Sequence, residues 1–235
     1  MKQIKLTIIA IAAICSVQSI KAQTVDEVVS KFVTAMGGKE KLSTLKSVRM
    51  DGVLNTSGTD VNLTITKSQL IGERIDINAM GMNGYQIFTP TSGTVYMPFL
   101  GQTAPEVMKE DQVKTGAAGL DIQGALLNYK EKGNELQLLG KEKVDSFDCY
   151  KIKAILKSGL SINYFIDTKT NYIIKTVATQ TIGGEQKEEV NGYGNYKATD
   201  AGFIFPFTTT IEQGEINFSK IETNVPVDEK IFTNK

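Results

Sequence analysis

Histidine and tryptophan are absent from this 235-residue chain, cysteine occurs twice, and proline only five times. Without histidine there is no Ser-His-Asp or Cys-His machinery, and the commonest zinc ligand is missing. Without tryptophan, stacking on a sugar falls to tyrosine. No Asp-rich calcium loop is present. The glycines at 81 and 84, and at 192 and 194, lack the strand–loop–helix setting of a phosphate-binding loop. Most carboxylates alternate with lysine, as in Lys109-Glu110-Asp111, Lys130-Glu131-Lys132 and Lys141-Glu142-Lys143. That is the pattern of a solvated face rather than of an acid–base pair. The residues therefore predict no catalytic set, no metal and no cofactor.

What is present starts at the N-terminus. Lys2 and Lys5 precede the apolar run Leu6 to Ile14, and polar residues follow as far as Ile20-Lys21-Ala22. The run is too short to span a bilayer as a helix and ends at a cleavage-like site, which is the pattern of a secretory signal. Cys15 closes the run, but Ile14 stands before it, where a lipoprotein signal needs a small residue. Cleavage after Ala22 removes 22 of 235 residues and leaves 213, starting at Gln23. This places the mature chain in the periplasm. Its only cysteine is then Cys149, which excludes an intramolecular disulfide and reads as a half-buried thiol.

Three lysines leave with the signal, so the mature chain carries 23 Lys+Arg against 26 Asp+Glu, a net charge of −3. Only Arg49 and Arg74 are arginine. A slightly acidic, arginine-poor surface argues against nucleic acid. No later stretch reaches transmembrane length, so no stable membrane insertion is expected. A chain of this size buries roughly 70% of its unfolded surface and forms a core without staples. The expected organisation is one domain over 23–235, acting as a monomer.

Val25, Val28, Val29, Phe32, Val33 and Met36 recur at helical spacing, with Thr24 or Asp26 to cap and Gly37-Gly38 to stop. Lys39 to Leu45 can add a short second helix. From Ser47 the period changes to two. Val61, Leu63 and Ile65 alternate with polar residues, and so do Leu70 to Ile77 and the pairs of runs on either side of Pro90-Thr91-Ser92-Gly93. Residues 105–128 read as a helical insert broken by glycines. Strands resume with Leu136 to Leu139, Tyr150 to Leu156 and Leu160 to Ile166, then 172–181, 188–196, 203–211 and 216–222. Asp145-Ser146-Phe147-Asp148 reads as a hairpin turn, and Pro206 marks an edge or a bulge. The fold class is mainly β with helices (α+β): a half-open antiparallel β-barrel of about eleven strands, with an N-terminal helix and a mid-chain helical lid.

The chemistry left to the chain is apolar. Met80, Met82 and Met97 stand near Tyr85, Tyr96 and Phe99, just before the insert. Methionine adapts to irregular apolar shapes. This cluster is either ordinary core or the flexible lining of a ligand cavity under the lid. Leu120, Leu126 and Leu127 of the insert, with Ile152 and Tyr164 of the later strands, are the candidate lid and cavity-wall residues.

The order of elements resembles the lipoprotein-localisation (LolA/LolB-like) carrier superfamily. Gly93-Thr94-Val95-Tyr96-Met97-Pro98-Phe99 resembles the family's strand and turn leading into the insert. Leu139 to Val144 followed by Tyr150-Lys151-Ile152 resembles a segment of its exported relatives. So does Tyr164-Phe165-Ile166-Asp167 with Thr170, and Gly202 to Pro206 resembles its late strand. Asn224 to Asp228 through Phe232 resembles its ending. The resemblance implies an apolar cavity, a lipid or acyl-chain ligand, and lipoproteins or envelope proteins as partners. In those carriers an arginine latches the lid. Here the corresponding stretch is Ile65-Thr66-Lys67-Ser68-Gln69, so Lys67, or Arg74 further on, is the candidate latch. Lysine lacks the planar fork that arginine presents.

Two classes of function fit. One is a periplasmic binding or carrier protein for a lipid-like ligand, with lipoprotein acyl chains as its finer form. The other is a non-enzymatic sensing or protein-interaction module whose barrel is filled by its own side chains. The signal reading is checked by intact mass and N-terminal sequencing of the exported protein. The expected first residue is Gln23, and a chain retaining residues before it would refute cleavage at Ala22.

Overall fold

The computed structural model describes residues 23–56, 58–182 and 185–233. The expected signal, residues 1–22, and its cleavage site lie outside them.

Helix α1 (Val25–Ala35) begins at a capping box. The Glu27 N–H donates to Thr24 Oγ1 at 3.2 Å, and the Thr24 N–H donates to Glu27 Oε2 at 3.0 Å. Two of the helix's orphan donors are thereby satisfied. Val28, Val29 and Phe32 form its buried stripe. Gly37 and Gly38, at φ 112° and 92°, end it in a conformation that side chains resist. Helix α2 (Lys39–Leu42) follows at once.

The remaining elements are strands of one antiparallel sheet, with one further helix. The first run is β1 (Ser47–Thr56), β2 (Thr59–Ser68), β3 (Gly72–Ala79), β4 (Met82–Phe88), β5 (Gly93–Tyr96) and β6 (Glu106–Val107). A 3-10 turn, Pro98–Leu100, separates β5 from β6, and α3 (Glu110–Ala118) comes after β6. The second run is β7 (Glu135–Val144), β8 (Phe147–Ile155), β9 (Ser161–Asp167), β10 (Ile173–Ile182), β11 (Glu185–Ala198), β12 (Ile204–Ile211) and β13 (Gly214–Thr223). The spatial order is β6-β5-β4-β3-β2-β1-β13-β12-β11-β10-β9-β8-β7. Two meanders are thus joined where the first strand pairs with the last, from Val48↔Thr223 to Asn55↔Glu215. The sheet stays open, so the architecture is a half-open barrel of thirteen strands.

Residues paired across antiparallel strands share a face. Val48, Lys67, Glu73 and Phe88 follow one another across β1 to β4, and so do Leu54 and Val61, then Leu63, Ile77 and Gly84. This is the face that carries the helices. Val28, Val29 and Phe32 of α1 pack there with Leu126, Tyr150, Ile152, Ala154, Tyr164 and Ile166. Leu42, Leu45, Leu127 and Phe203 form a second buried cluster. The opposite, outer face of β2 to β4 is covered by the C-terminal segment. Phe232 is buried there, and a Cβ at Gly72 would lie 2.5 Å from its Cγ. Ser47 Oγ donates to the Val225 carbonyl at 2.6 Å and holds the start of that segment.

Several details depart from the sequence expectation. The count is thirteen because the run from Ser47 is itself a ten-residue strand and because β6 adds two residues where helix was expected. Only Glu110–Ala118 of 105–128 is α-helical. It ends at the C-cap Gly119, and the turn at Gly124 (φ 84°) keeps it from resuming. Leu70 sits in the β2–β3 turn at φ 59° and is exposed, rather than starting a strand. Pro206 lies in an interior strand, opposite Tyr196 of β11. It is tolerated because β12 pairs with β13 only over Thr208 to Ile211. The missing N–H therefore falls where no β13 partner stands.

The β9–β10 turn is held by Asp167. Its Oδ2 accepts from the Thr170 N–H at 2.9 Å and the Thr170 hydroxyl at 2.7 Å. Burial pushes this carboxyl up, but the Thr170 bonds, the Lys169 N–H and the Lys169 charge outweigh it and hold the pKa below the ordinary value. A depressed folded pKa contributes stability above the unfolded pKa, and that stability is lost as pH falls through the folded one. Asp167→Asn should therefore lower urea stability at pH 7 by about 1–3 kcal/mol. The gap from the native protein should narrow as pH falls below about 4. A gap independent of pH would refute the assignment.

Candidate functional site

The two edge strands, β6 and β7, are consecutive in the chain but lie at opposite ends of the sheet. The segment between them, residues 108–134, has to cross the barrel, and it does so over the helix-bearing face. Its path is marked by contacts. Gly116 rests on Phe88, where a Cβ would lie 2.1 Å from the ring, so only glycine admits this approach. The Leu70 N–H donates to the Leu120 carbonyl at 2.9 Å. Gln123 Nε2 donates to the carbonyls of Ser43 and Leu45, both at 3.2 Å. Leu126 then enters the core beside Ile152 and Tyr164. Lys130 pairs with Asp26 of α1 at 2.9 Å.

The polar latch of this crossing sits in the β2–β3 hairpin. Lys67 Nζ bridges Glu73 Oε2 at 3.0 Å and donates to the Gly119 carbonyl at 3.5 Å. Both side chains are largely buried, at 19% and 9% exposure. Removing one partner alone would strand the other charge. Gln69 makes two shorter bonds. Its Oε1 accepts from the Ile122 N–H at 2.7 Å, and its Nε2 donates to Asp121 Oδ1 at 2.8 Å. Lys132 closes the network on Asp121 Oδ2 at 2.5 Å. Gln69 carries no sequence signature, because a glutamine in a turn is ordinary. Only the crossing segment gives it a role. Arg74 lies on the outer face. It pairs with Asp76 at 2.8 Å, stands 4.7 Å from the Tyr85 ring, and donates to the Ile231 carbonyl at 3.4 Å.

The other candidate residues divide between the two faces. Leu120, Leu126, Leu127, Ile152 and Tyr164 are buried under or beside the crossing segment. Met82 pairs with Ala79 and stands at the open end of the same face. Phe99 folds over Gly84, where a Cβ would lie 2.8 Å from its ring, and Met97 is half-buried next to it. Met80 is in the β3–β4 turn and 78% exposed. Tyr85 and Tyr96 are paired on the outer face with ring centroids 5.9 Å apart. Strand parity separates these two tyrosines from Met82 and Gly84, although all lie close in sequence.

The helix-bearing face is unevenly covered. On β8 and β9 the helices bury it, with Ile152 and Ile166 at zero exposure. On β1 to β3, β12 and β13, apolar residues remain half-buried: Leu54, Leu63, Ile75, Ile77, Ile211 and Phe218. This open apolar stretch is the candidate site. A separate groove of about 280 Å³ lies between α1 and residues 126–131. Asp26, Lys39, Lys130 and Glu131 rim it, which suits solvent better than a ligand. Cys149 is fully buried, and burial, then Asp167, Asp148 and Glu142, push its thiol up to about 11, so it is no nucleophile. Among the described residues no group of three metal-ligating side chains converges.

No family model matches the sequence, and no curated protein matches it. Its fold matches solved structures. A DUF1329 family protein from Desulfovibrio piger aligns at TM-score 0.56 with 12% identity, over 90% of this chain and 98% of that one. A LolA superfamily protein from Nitrosomonas europaea aligns at 0.55 with 14% identity, over 91% and 99%. An outer membrane lipoprotein-sorting protein domain from Vibrio parahaemolyticus aligns at 0.50 with 14% identity, over 88% and 94%. The chain therefore shares the fold of these LolA-like structures along nearly its whole described length.

Removing the two Gln69 bonds should loosen the crossing segment. Gln69→Ala is expected to speed amide hydrogen exchange across residues 119–134 by about tenfold or more, while Arg74→Ala leaves that segment unchanged. Equal exchange in Gln69→Ala and the native protein would remove Gln69 from the latch.

Proposed function

We propose that this protein is a non-enzymatic periplasmic carrier or receptor for a lipid-like apolar ligand, held on the helix-bearing face of the half-barrel. The observation that carries the reading is the uneven cover of that face. Leu54, Leu63, Ile75, Ile77, Ile211 and Phe218 stay half-buried there, whereas Ile152, Ala154 and Ile166 on β8 and β9 are fully buried. An apolar trough of this kind is where a ligand gains most from leaving water. Each methylene buried contributes about 0.8 kcal/mol, so a sixteen-carbon chain gains roughly 10 kcal/mol before ordering costs. Two of the similar structures bear lipoprotein-sorting or LolA names, which agrees in kind. Lipoprotein acyl chains are the finer form of the ligand, and lipoproteins or envelope proteins are the matching partners.

Within this reading Met82, Met97 and Phe99 line the open end, while Leu120, Leu126, Leu127, Ile152 and Tyr164 form the wall under the crossing segment. Met80, Tyr85 and Tyr96 stand outside the trough, and Lys67 with Gln69 latches the segment that covers it. The second reading, an interaction module with a self-filled barrel, has one observation in its favour. On β8 and β9, α1 and Leu126 already occupy the face.

Native mass spectrometry of the mature protein, purified without detergent, separates the two. A bound species of lipid mass, lost on solvent extraction and regained on adding lipid, is the expected result. A bare mass that takes up neither fatty acid nor lipopeptide would refute the carrier reading and favour the self-filled barrel.

A further inference from the structure

The outer face of β2 to β4 carries a polar groove that the carrier reading leaves unused. The C-terminal segment covers this face as far as Arg74, which donates to the Ile231 carbonyl at 3.4 Å. Beyond that point the face opens into a groove of about 190 Å³. Strand pairing sets Asn62, Asn78 and Asn83 side by side on β2, β3 and β4, and they form one wall. Thr64 and Asp76, paired two residues along, form the other. The row of Asp76 continues through Tyr85 to Tyr96 on β5. Leu63 and Ile77 also line the groove, but parity turns their side chains to the helix-bearing face, so they offer backbone as its floor.

The groups on these walls decide what fits between them. Asn78 Nδ2 donates to Asn83 Oδ1 at 2.7 Å, and Arg74 Nε donates to Asp76 Oδ1 at 2.8 Å. The Asn62 amide, Asn78 Oδ1, Asn83 Nδ2 and Asp76 Oδ2 keep no protein partner among the described residues. An anion would meet the Asp76 carboxylate, and the Arg74 guanidinium beside it is already paired with Asp76. An extended peptide finds no free ladder, because β2, β3 and β4 are each paired on both sides. An apolar chain would strip water from the amides and replace none of their bonds. A neutral, hydroxyl-rich ligand avoids all three costs, since a hydroxyl both donates and accepts, as a carboxamide does. The tyrosines add ring faces on which a sugar can stack. Their centroids are 5.9 Å apart, and Arg74 stands over Tyr85 while no cation stands over Tyr96 among the described residues. Adjacent strands lie about 4.8 Å apart, close to the advance per ring of an extended sugar chain. Each strand from β2 to β5 would thus meet one ring.

We infer that this groove and the Tyr85–Tyr96 pair bind a neutral glycan chain laid across β2 to β5. The carrier reading uses the other face of the sheet, so the two stand or fall separately. The test titrates the full mature chain, isotope-labelled, with cellotetraose and with tetra-N-acetylchitotetraose, and follows the amide resonances. Saturable shifts confined to β2 to β5 are expected for at least one of the two sugars, with a Kd of about 1 mM or tighter. Asn62→Ala removes an exposed amide that holds nothing in the fold. It should weaken binding about fivefold or more, with an unchanged circular-dichroism spectrum. Tyr96→Ala should weaken it as much, and should that variant not fold, Asn83→Ala takes its place. Three results would each overturn the site: no shifts with either sugar up to about 10 mM, shifts that map to other strands, or native affinity in both Asn62→Ala and Asn83→Ala.

Discussion

The pairing of the first strand with the last governs the rest of the molecule. Once β1 lies beside β13, the two meanders run outward in opposite directions, and strands consecutive in the chain, β6 and β7, become opposite edges. Twisted antiparallel sheets of this width curl. The link between the edges then has a short route across the face that carries α1, and the contacts from Gly116 to Lys130 trace that route. The cover over the inner face is therefore a consequence of topology. No separate domain or inserted module is needed to produce it.

That cover is fastened by polar groups because its backbone is mostly turn. Residues 119–134 carry little regular ladder of their own, so their N–H and carbonyl groups need partners elsewhere. Leu70, Gln69 and Lys132 supply partners, and the segment's own Gln123 donates to the Ser43 and Leu45 carbonyls. The apolar anchors, Leu120, Leu126 and Leu127, fix where the segment sits, and the hydrogen bonds fix its register. A fastening of this sort is modest in net energy, since each bond replaces one to water.

The fold was largely legible in the chain, and the site only in part. Alternation in Tyr150 to Leu156 and Leu160 to Ile166, the Thr24 cap and the Gly37-Gly38 stop all correspond to observed elements. The strand count was short by two because a two-residue strand such as β6 has no periodicity to detect, and because the run from Ser47 carries Gly52 and Asp51 at a bulge. Tyr85 and Tyr96 attract notice as aromatics near three methionines. Strand parity turns them to the outer face, where Arg74 lies over Tyr85 and reaches the Ile231 carbonyl of the C-terminal segment.

By itself the sequence determined the absence of histidine, the β-rich alternation and the helical stripe of α1, because these depend on composition and on neighbours within a few residues. Only the tertiary structure decided that β1 meets β13 and that Gln69 fastens the crossing segment. Those facts join residues tens to nearly two hundred positions apart. Strand pairing between distant segments is set by the whole core, so no local pattern in the chain records it.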